Sequence, residues 1–244
     1  RSGLLVPSDR SRYFLKVGDG CNQFCTYCVI PYARGRIKSR PTEDLIAEAE
    51  AATEAGYGEI VLSGIHLGRY GEDLKGDNSL VNLLKKLLAI KDLGRLRLSS
   101  IEINEVDESL IALMKAQPQI CRHLHISLQS GGDKILKAMN RPYDTDYFRQ
   151  RVKLLRKVMP EIAISTDIIV GFPGESEEDF NDTLSFAREM GFSKIHVFPF
   201  SAHEQTVAFK LPNKVSVAEK KDRAARLRKL SDELAANYYQ EITK

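Results

Sequence analysis

Short apolar runs rich in β-branched residues alternate along this 244-residue chain with longer stretches whose apolar positions recur at helical spacing. Six runs read as strands: "YFLKVGDG" from Tyr13, "EIVLSGI" from Glu59, "RLRLSSI" from Arg95, "HLHISLQ" from His123, "AISTDIIVGF" from Ala163 and "KIHVFPF" from Lys194. Between them the period predicts helices from Thr42 to Gly56, from about Leu80 to Ile90, and over Asp107 to Ala116, Lys134 to Met139 and Asp144 to Val158. Thr42 is placed to cap the first, with Glu43 and Asp44 set against the positive end of its dipole. Ser176 with Asp179 and Ser216 with Glu219 spell capping boxes; they open a helix that ends near Gly191 and a long final helix.

Strand and helix in strict alternation predict parallel strands joined by right-handed crossovers, which both a doubly wound sheet and a barrel satisfy. Six units suit the second, so the expected fold class is α/β, a partial (β/α)6 TIM-like barrel with parallel strands. Working residues in such barrels sit at the carboxyl ends of the strands. Residues 1–12 are expected to be a linker from a preceding domain, and 13–244 the core with its long C-terminal helix.

Composition narrows the function classes. Hydrophobic residues are 43% and charged residues 28%, and no apolar run reaches the ~18 residues of a membrane span. A formal charge of +3 is too small to announce a nucleic-acid binder, so the placement of charge matters more than its sum. Four cysteines are too sparse for a secreted disulfide scaffold. A cytoplasmic monomer with no membrane attachment is expected.

Three of those cysteines fall in eight residues, "CNQFCTYC", at Cys21, Cys25 and Cys28. Random placement gives about 0.001 such patterns. A structural zinc site needs four protein donors, usually in two pairs, and the nearest fourth candidates, His66 and Cys121, belong to later units. A disulfide with a spare thiol suits an oxidising compartment. Three thiolates on a [4Fe–4S] cluster leave one iron open, and the loop runs directly off the first strand at the chemically active face. Phe24 and Tyr27, interleaved with the thiols, are placed to exclude water or to face a ligand's ring.

The segment "CNQFCTYC" resembles the C-x3-C-x-aromatic-C motif of the radical S-adenosylmethionine (SAM) superfamily. That resemblance implies three cysteines as metal ligands and SAM chelated to the open iron. It also implies reductive cleavage of SAM to a 5′-deoxyadenosyl radical. Together "GDGCNQFCTYCVIPYARGRIKSR", "LSGIHLGRYG", "HLHISLQSG", "MNRPY" and "TDIIVGFPGE" resemble the methylthiotransferase core, and Ser63 to Gly71 looks most like the branch acting on N6-threonylcarbamoyladenosine beside the tRNA anticodon. The ribosomal-protein branch and a non-catalytic, zinc-stabilised RNA-binding module are the alternatives.

Residue by residue, the resemblance implies that Gly64 and Ile65 meet the SAM amino group, and that Ser127 and Gln129 contact ribose and methionine. Arg141 is then a partner for the SAM carboxylate, its fork of donors matching two oxygens, while Asp167, Ile169 and Gly171 border adenine. Arg34, Arg36, Lys38 and Arg40, four cations at period two, are expected to crowd one face of an extended segment and meet phosphate or a substrate carboxylate. The basic run Lys220, Lys221, Arg223, Arg226, Arg228 and Lys229 reads as a solvated helix face, and the histidines as satisfied polar residues lining the barrel.

The implied partners are the tRNA anticodon stem-loop and a reducing donor such as flavodoxin or ferredoxin. The family pattern adds an amino-terminal domain with three cysteines for an auxiliary [4Fe–4S] cluster, expected in a full-length parent because Cys121 alone cannot hold it. After the sixth strand, "PFSAHEQTVA" departs from the family's usual tyrosine, arginine and glycine.

Overall fold

The computed structural model of the chain describes residues 11–243, so most of the expected linker lies outside the described residues. Two compact units partition the described residues, one formed by 11–22 with 34–123, the other by 23–33 with 124–243.

The first unit opens with β1 (Arg12–Lys16) and β2 (Gly18–Asp19). Residues 23–33, with most of the short helix α1 (Ile30–Arg34), then belong to the second unit, and the chain returns through β3 (Lys38–Ser39). There follow α2 (Thr42–Glu54), β4 (Glu59–Ser63), α3 (Leu80–Leu88), β5 (Arg95–Leu98), β6 (Ser100–Ile101) and α4 (Glu108–Ala116). Strands β1, β4 and β5 lie in that order and pair in parallel, Leu15 opposite Leu62 and Leu62 opposite Leu98. Those three leucines are buried, as crossover helices covering a parallel sheet require.

The first predicted strand divides at Val17, whose carbonyl accepts from the Arg40 amide, so that β2 can pair antiparallel with β3. Gly20 follows at φ +74°, and a Cβ there would collide with the Arg36 carbonyl; the turn after β2 therefore needs glycine on two counts. Thr42 does not cap α2. Pro41 precedes the helix without a side-chain cap, and the Thr42 hydroxyl instead bonds Tyr70 Oη (3.0 Å) and Asn78 Oδ1 (3.1 Å). Asp107 caps α4, its carboxylate accepting from the Leu110 amide at 2.8 Å.

The second unit holds β7 (His123–Ile126), whose first residue ends the first unit, then α5 (Asp133–Ala138), α6 (Thr145–Val158), β8 (Ala163–Val170), α7 (Glu177–Met190), β9 (Lys194–Pro199) and α8 (Val217–Ile242). Strands β7, β8 and β9 are consecutive, and β8 pairs β9 in parallel with Asp167 opposite His196. Phe148, Phe180 and Phe192 are fully buried, and the Phe148 ring meets Phe186 and Phe192 edge-on at 6.0 and 6.2 Å. Each such ring contributes about 2 kcal/mol of apolar transfer.

Both expected capping boxes form, on Ser176 with Asp179 and on Ser216 with Glu219, and Gly191 ends α7 in the left-handed region. The basic run on α8 is only partly a solvated face. Arg223 is 3% exposed and donates to Glu175 Oε2 at 2.7 Å, in the connection between β8 and α7. Among the described residues no helix is long and apolar enough to cross a membrane.

Candidate cluster-binding and cofactor site

None of the four cysteines is joined in a disulfide. Cys21, immediately after the Gly20 turn, is buried, and its amide donates to the Gly35 carbonyl. Its sulfur lies 3.3 Å from His66 Nδ1, and His66 Nε2 lies 2.5 Å from Glu105 Oε1. Burial pulls the His66 imidazole toward neutrality, but hydrogen bonds to Cys21 and Glu105 outweigh it and raise its pKa to about 10. His66, considered from sequence as a distant zinc donor, is thus folded onto Cys21 by the turn after β4, with its second nitrogen committed to a carboxylate.

In the second unit the Thr26 amide donates to the Met139 carbonyl, the Thr26 hydroxyl to the Ala138 carbonyl at 2.8 Å, and the Ala208 amide to the Thr26 carbonyl. These bonds pin the loop between its second and third thiols. Cys25 is buried, Cys28 partly exposed, and the Cys28 amide donates to the Cys25 carbonyl. Tyr27 packs against the cluster of Ile135, Met139, Phe172, Phe200 and Ala208, as does Ile169. Phe24 is exposed and meets Tyr32 edge-on, so it faces solvent rather than sealing the loop.

Arg141 is 8% exposed, which excludes a surface arginine. It donates to Tyr143 Oη at 2.7 Å, to the Ser127 carbonyl at 3.3 Å and, through Nη1, to Cys25 Sγ at 3.3 Å and Tyr27 Oη at 3.4 Å. Ser127 therefore contributes its backbone carbonyl to holding Arg141 and Tyr143. Gln129 adopts φ +72° and is stitched to β8 by its amide on the Asp167 carbonyl and its carbonyl under the Ile169 amide. A non-glycine residue held there marks a strained strand end, a common property of ligand-facing backbone.

Gly171 follows β8 at φ +73°, and its amide donates to Glu175 Oε2 at 2.6 Å. Asp167, which the resemblance sets beside a nucleoside, has its two carboxylate oxygens 3.1 Å from His125 Nε2 and 3.2 Å from His196 Nδ1. Gly64 and Ile65 line a small pocket with Val17, Gly18, Gly20 and His66, directly after β4.

The four cations do not share one extended face. Arg34 ends α1 and lies 3.8 Å from Asp19, Lys38 sits on β3, and Arg40 is drawn inward to Glu48 at 2.6 Å and to the Lys16 carbonyl at 3.0 Å. Arg36 and Lys38 remain exposed. Cys121 belongs elsewhere in the first unit, beside Glu59 and Arg95 at the amino ends of β4 and β5.

Within each unit one buried motif thiol has a cationic partner, His66 for Cys21 and Arg141 for Cys25, which suits sulfur that is to bind iron as thiolate. Residues 15–187 match the sequence profile of the Radical SAM superfamily. The chain belongs to the radical SAM superfamily. Within it, 238 residues are 44% identical to the threonylcarbamoyladenosine tRNA methylthiotransferase MtaB of Bacillus subtilis, covering 96% of this chain and 52% of that protein. A tRNA-2-methylthio-N6-dimethylallyladenosine synthase of Thermoanaerobacter is 42% identical over 216 residues, 88% of this chain and 46% of that one. The chain spans about half the length of these relatives.

Among solved structures, the radical SAM methyltransferase TsrM of Kitasatospora setae, with cobalamin and a [4Fe–4S] cluster bound, superposes with a TM-score of 0.66 at 18% identity, over 80% of this chain and 38% of that one. The likeness shows the α/β fold expected from the alternation of strands and helices, in the radical SAM form that the motif resemblance implied.

Proposed function

We propose that this chain is the radical SAM core of a tRNA methylthiotransferase, the enzyme that converts N6-threonylcarbamoyladenosine beside the anticodon to its 2-methylthio derivative. The observation that carries this reading is the Cys21, Cys25 and Cys28 motif with His66 and Arg141 against two of its sulfurs, in a sequence so close to a protein of that name. Cys21, Cys25 and Cys28 would hold the [4Fe–4S] cluster. Bound there beside SAM, such a cluster supplies the electron for reductive cleavage of the sulfonium.

The chain's own residues do the holding. Arg141, locked by Tyr143 and the Ser127 carbonyl, keeps a guanidinium at Cys25 from which a carboxylate such as that of SAM can be met. Tyr27 and Ile169 contribute apolar surface, Gln129 and Gly171 backbone in the left-handed region, and Gly64 and Ile65 the backbone after β4. Arg36 and Lys38, exposed on the segment after the motif, are positioned for phosphate, whereas Arg34 and Arg40 spend charge on Asp19 and Glu48. In the full-length setting a second cluster, a reducing donor such as flavodoxin or ferredoxin, and the anticodon stem-loop complete the assignment.

The dimethylallyladenosine relative favours one second reading, the same chemistry on that nucleoside. Grafting residues 13–244 in place of the corresponding domain of the Bacillus subtilis relative, in a strain lacking it, decides between them. Nucleoside mass spectrometry should find 2-methylthio-N6-threonylcarbamoyladenosine. Accumulation of the dimethylallyl derivative, or modification of a ribosomal protein alone, overturns the substrate. Changing any one of the three cysteines to alanine should abolish iron and sulfide uptake on anaerobic reconstitution.

A further inference from the structure

Three adjacent parallel-layer strands each aim one metal-binding side chain at a common point: His125 from β7, Asp167 from β8 and His196 from β9. Their donor atoms all lie within 4.8 Å of one another. Asp167 and His196 are direct register partners, and the two imidazoles stack with centroids 5.2 Å apart and planes inclined 24°. None of the three belongs to the cysteine motif.

We propose that His125 Nε2, His196 Nδ1 and the Asp167 carboxylate bind a divalent transition-metal ion, distinct from any group held by the three cysteines. Two imidazoles and one carboxylate are a donor set for ions such as zinc, cobalt or ferrous iron, and it leaves coordination positions open. An outer partner is also built. His125 Nδ1 lies 2.9 Å from Ser165 Oγ, a hydroxyl buried two residues before Asp167 on the same strand face, and this fixes the ring with Nε2 turned to the carboxylate. Strands rather than loops carry every ligand, so the donors are positioned without a large ordering cost.

The carboxylate faces both imidazoles at once, Oδ2 toward His125 Nε2 at 3.1 Å and Oδ1 toward His196 Nδ1 at 3.2 Å, so donors from three strands converge where one cation can be shared. His196 is half exposed, so the ion would have a route to solvent and its open positions could take an oxygen ligand such as water or a substrate carboxylate.

The test uses cobalt as the probe. In a C21A/C25A/C28A variant, checked by circular dichroism, about one Co2+ per chain should bind with visible d–d absorption and without the near-ultraviolet thiolate-to-cobalt charge transfer. H196A, at a half-exposed position that leaves the core intact, should abolish the bands, and Ser165→Ala should weaken binding roughly tenfold. In parallel, the cluster-loaded wild-type chain dialysed against zinc should retain about one zinc per chain, lost in a H125A/H196A variant. Cobalt or zinc uptake that is absent, or that persists unchanged without both histidines, overturns the assignment; failure of the cluster to form would leave the cobalt result, obtained without the three thiols, untouched.

Discussion

Arg141 Nη1 lies 3.3 Å from Cys25 Sγ while the same guanidinium is held by Tyr143 Oη at 2.7 Å. The arginine is therefore at once a structural link between the ends of α5 and β7 and a cation in contact with the second motif sulfur. Arg141→Ala should lower the unfolding free energy by about 2–3 kcal/mol, because a buried hydroxyl and a carbonyl lose a charged donor. Arg141→Lys keeps the charge without the planar fork and should recover part of that stability. Urea denaturation of both variants, with iron content after reconstitution, checks this: alanine should lose most of the iron and lysine should keep more.

His66 sits between Cys21 and Glu105 with its pKa raised to about 10. A raised histidine contributes stability that is fully present below its ordinary value near 6.5 and is lost as pH rises through the folded value. The cluster-free chain should accordingly lose stability between about pH 6.5 and 10, and His66→Gln should remove most of that dependence. Imidazole resonances of His66 should report a protonated ring at pH 8; a neutral ring there would contradict the arrangement.

Acid should weaken the fold through two carboxyls. A hydrogen bond from Arg97 outweighs burial and holds Glu59 below its usual pKa, and at Asp179 the opposition of burial is overcome by Lys134 and Ser176. Depressed carboxyls contribute stability that is present above their unfolded values and lost as pH falls through the folded ones, so the loss should begin near pH 5 and deepen below about 4. Glu59→Gln should be less stable at pH 7, since Arg12, Arg95 and Arg97 lose their shared counter-charge, and should show a shallower acid decline. Denaturation at pH 7 and pH 4 measures both effects.

Gly20→Ala should destabilise by roughly 2 kcal/mol or more, combining a left-handed backbone with a collision on the Arg36 carbonyl. The turn also places Cys21, so iron uptake should fall with stability. A variant as stable as the parent would mean that the turn adopts another path.

Local chemistry made much of this readable in advance. Capping boxes at Ser176 and Ser216 formed because both halves of each box lie three residues apart, and the motif cysteines stood out by spacing alone. What escaped notice depended on distant partners. Thr42 satisfies its hydroxyl on Tyr70 and Asn78 instead of capping, Arg40 turns to Glu48, and Arg223 turns inward from α8 to meet Glu175. The His125, Asp167 and His196 group was hidden for the same reason: its members sit on three different strands, and Asp167 stood out only as a residue that the resemblance set beside adenine. The available signal was the shared face of Ser165 and Asp167 at alternate positions, with histidines on the strands to either side.

The buried Glu175 and Arg223 pair sets where this polypeptide can be cut. Burial pushes the Glu175 carboxyl upward and only the arginine and the Gly171 amide hold against it, so a chain ending before Arg223 would strand an acid in the interior. Leu227 and Leu230, fully buried one and two turns further on, extend that requirement. The final helix is consequently the last wall of the domain, and any expressed version meant to stay soluble has to carry it past Ser231.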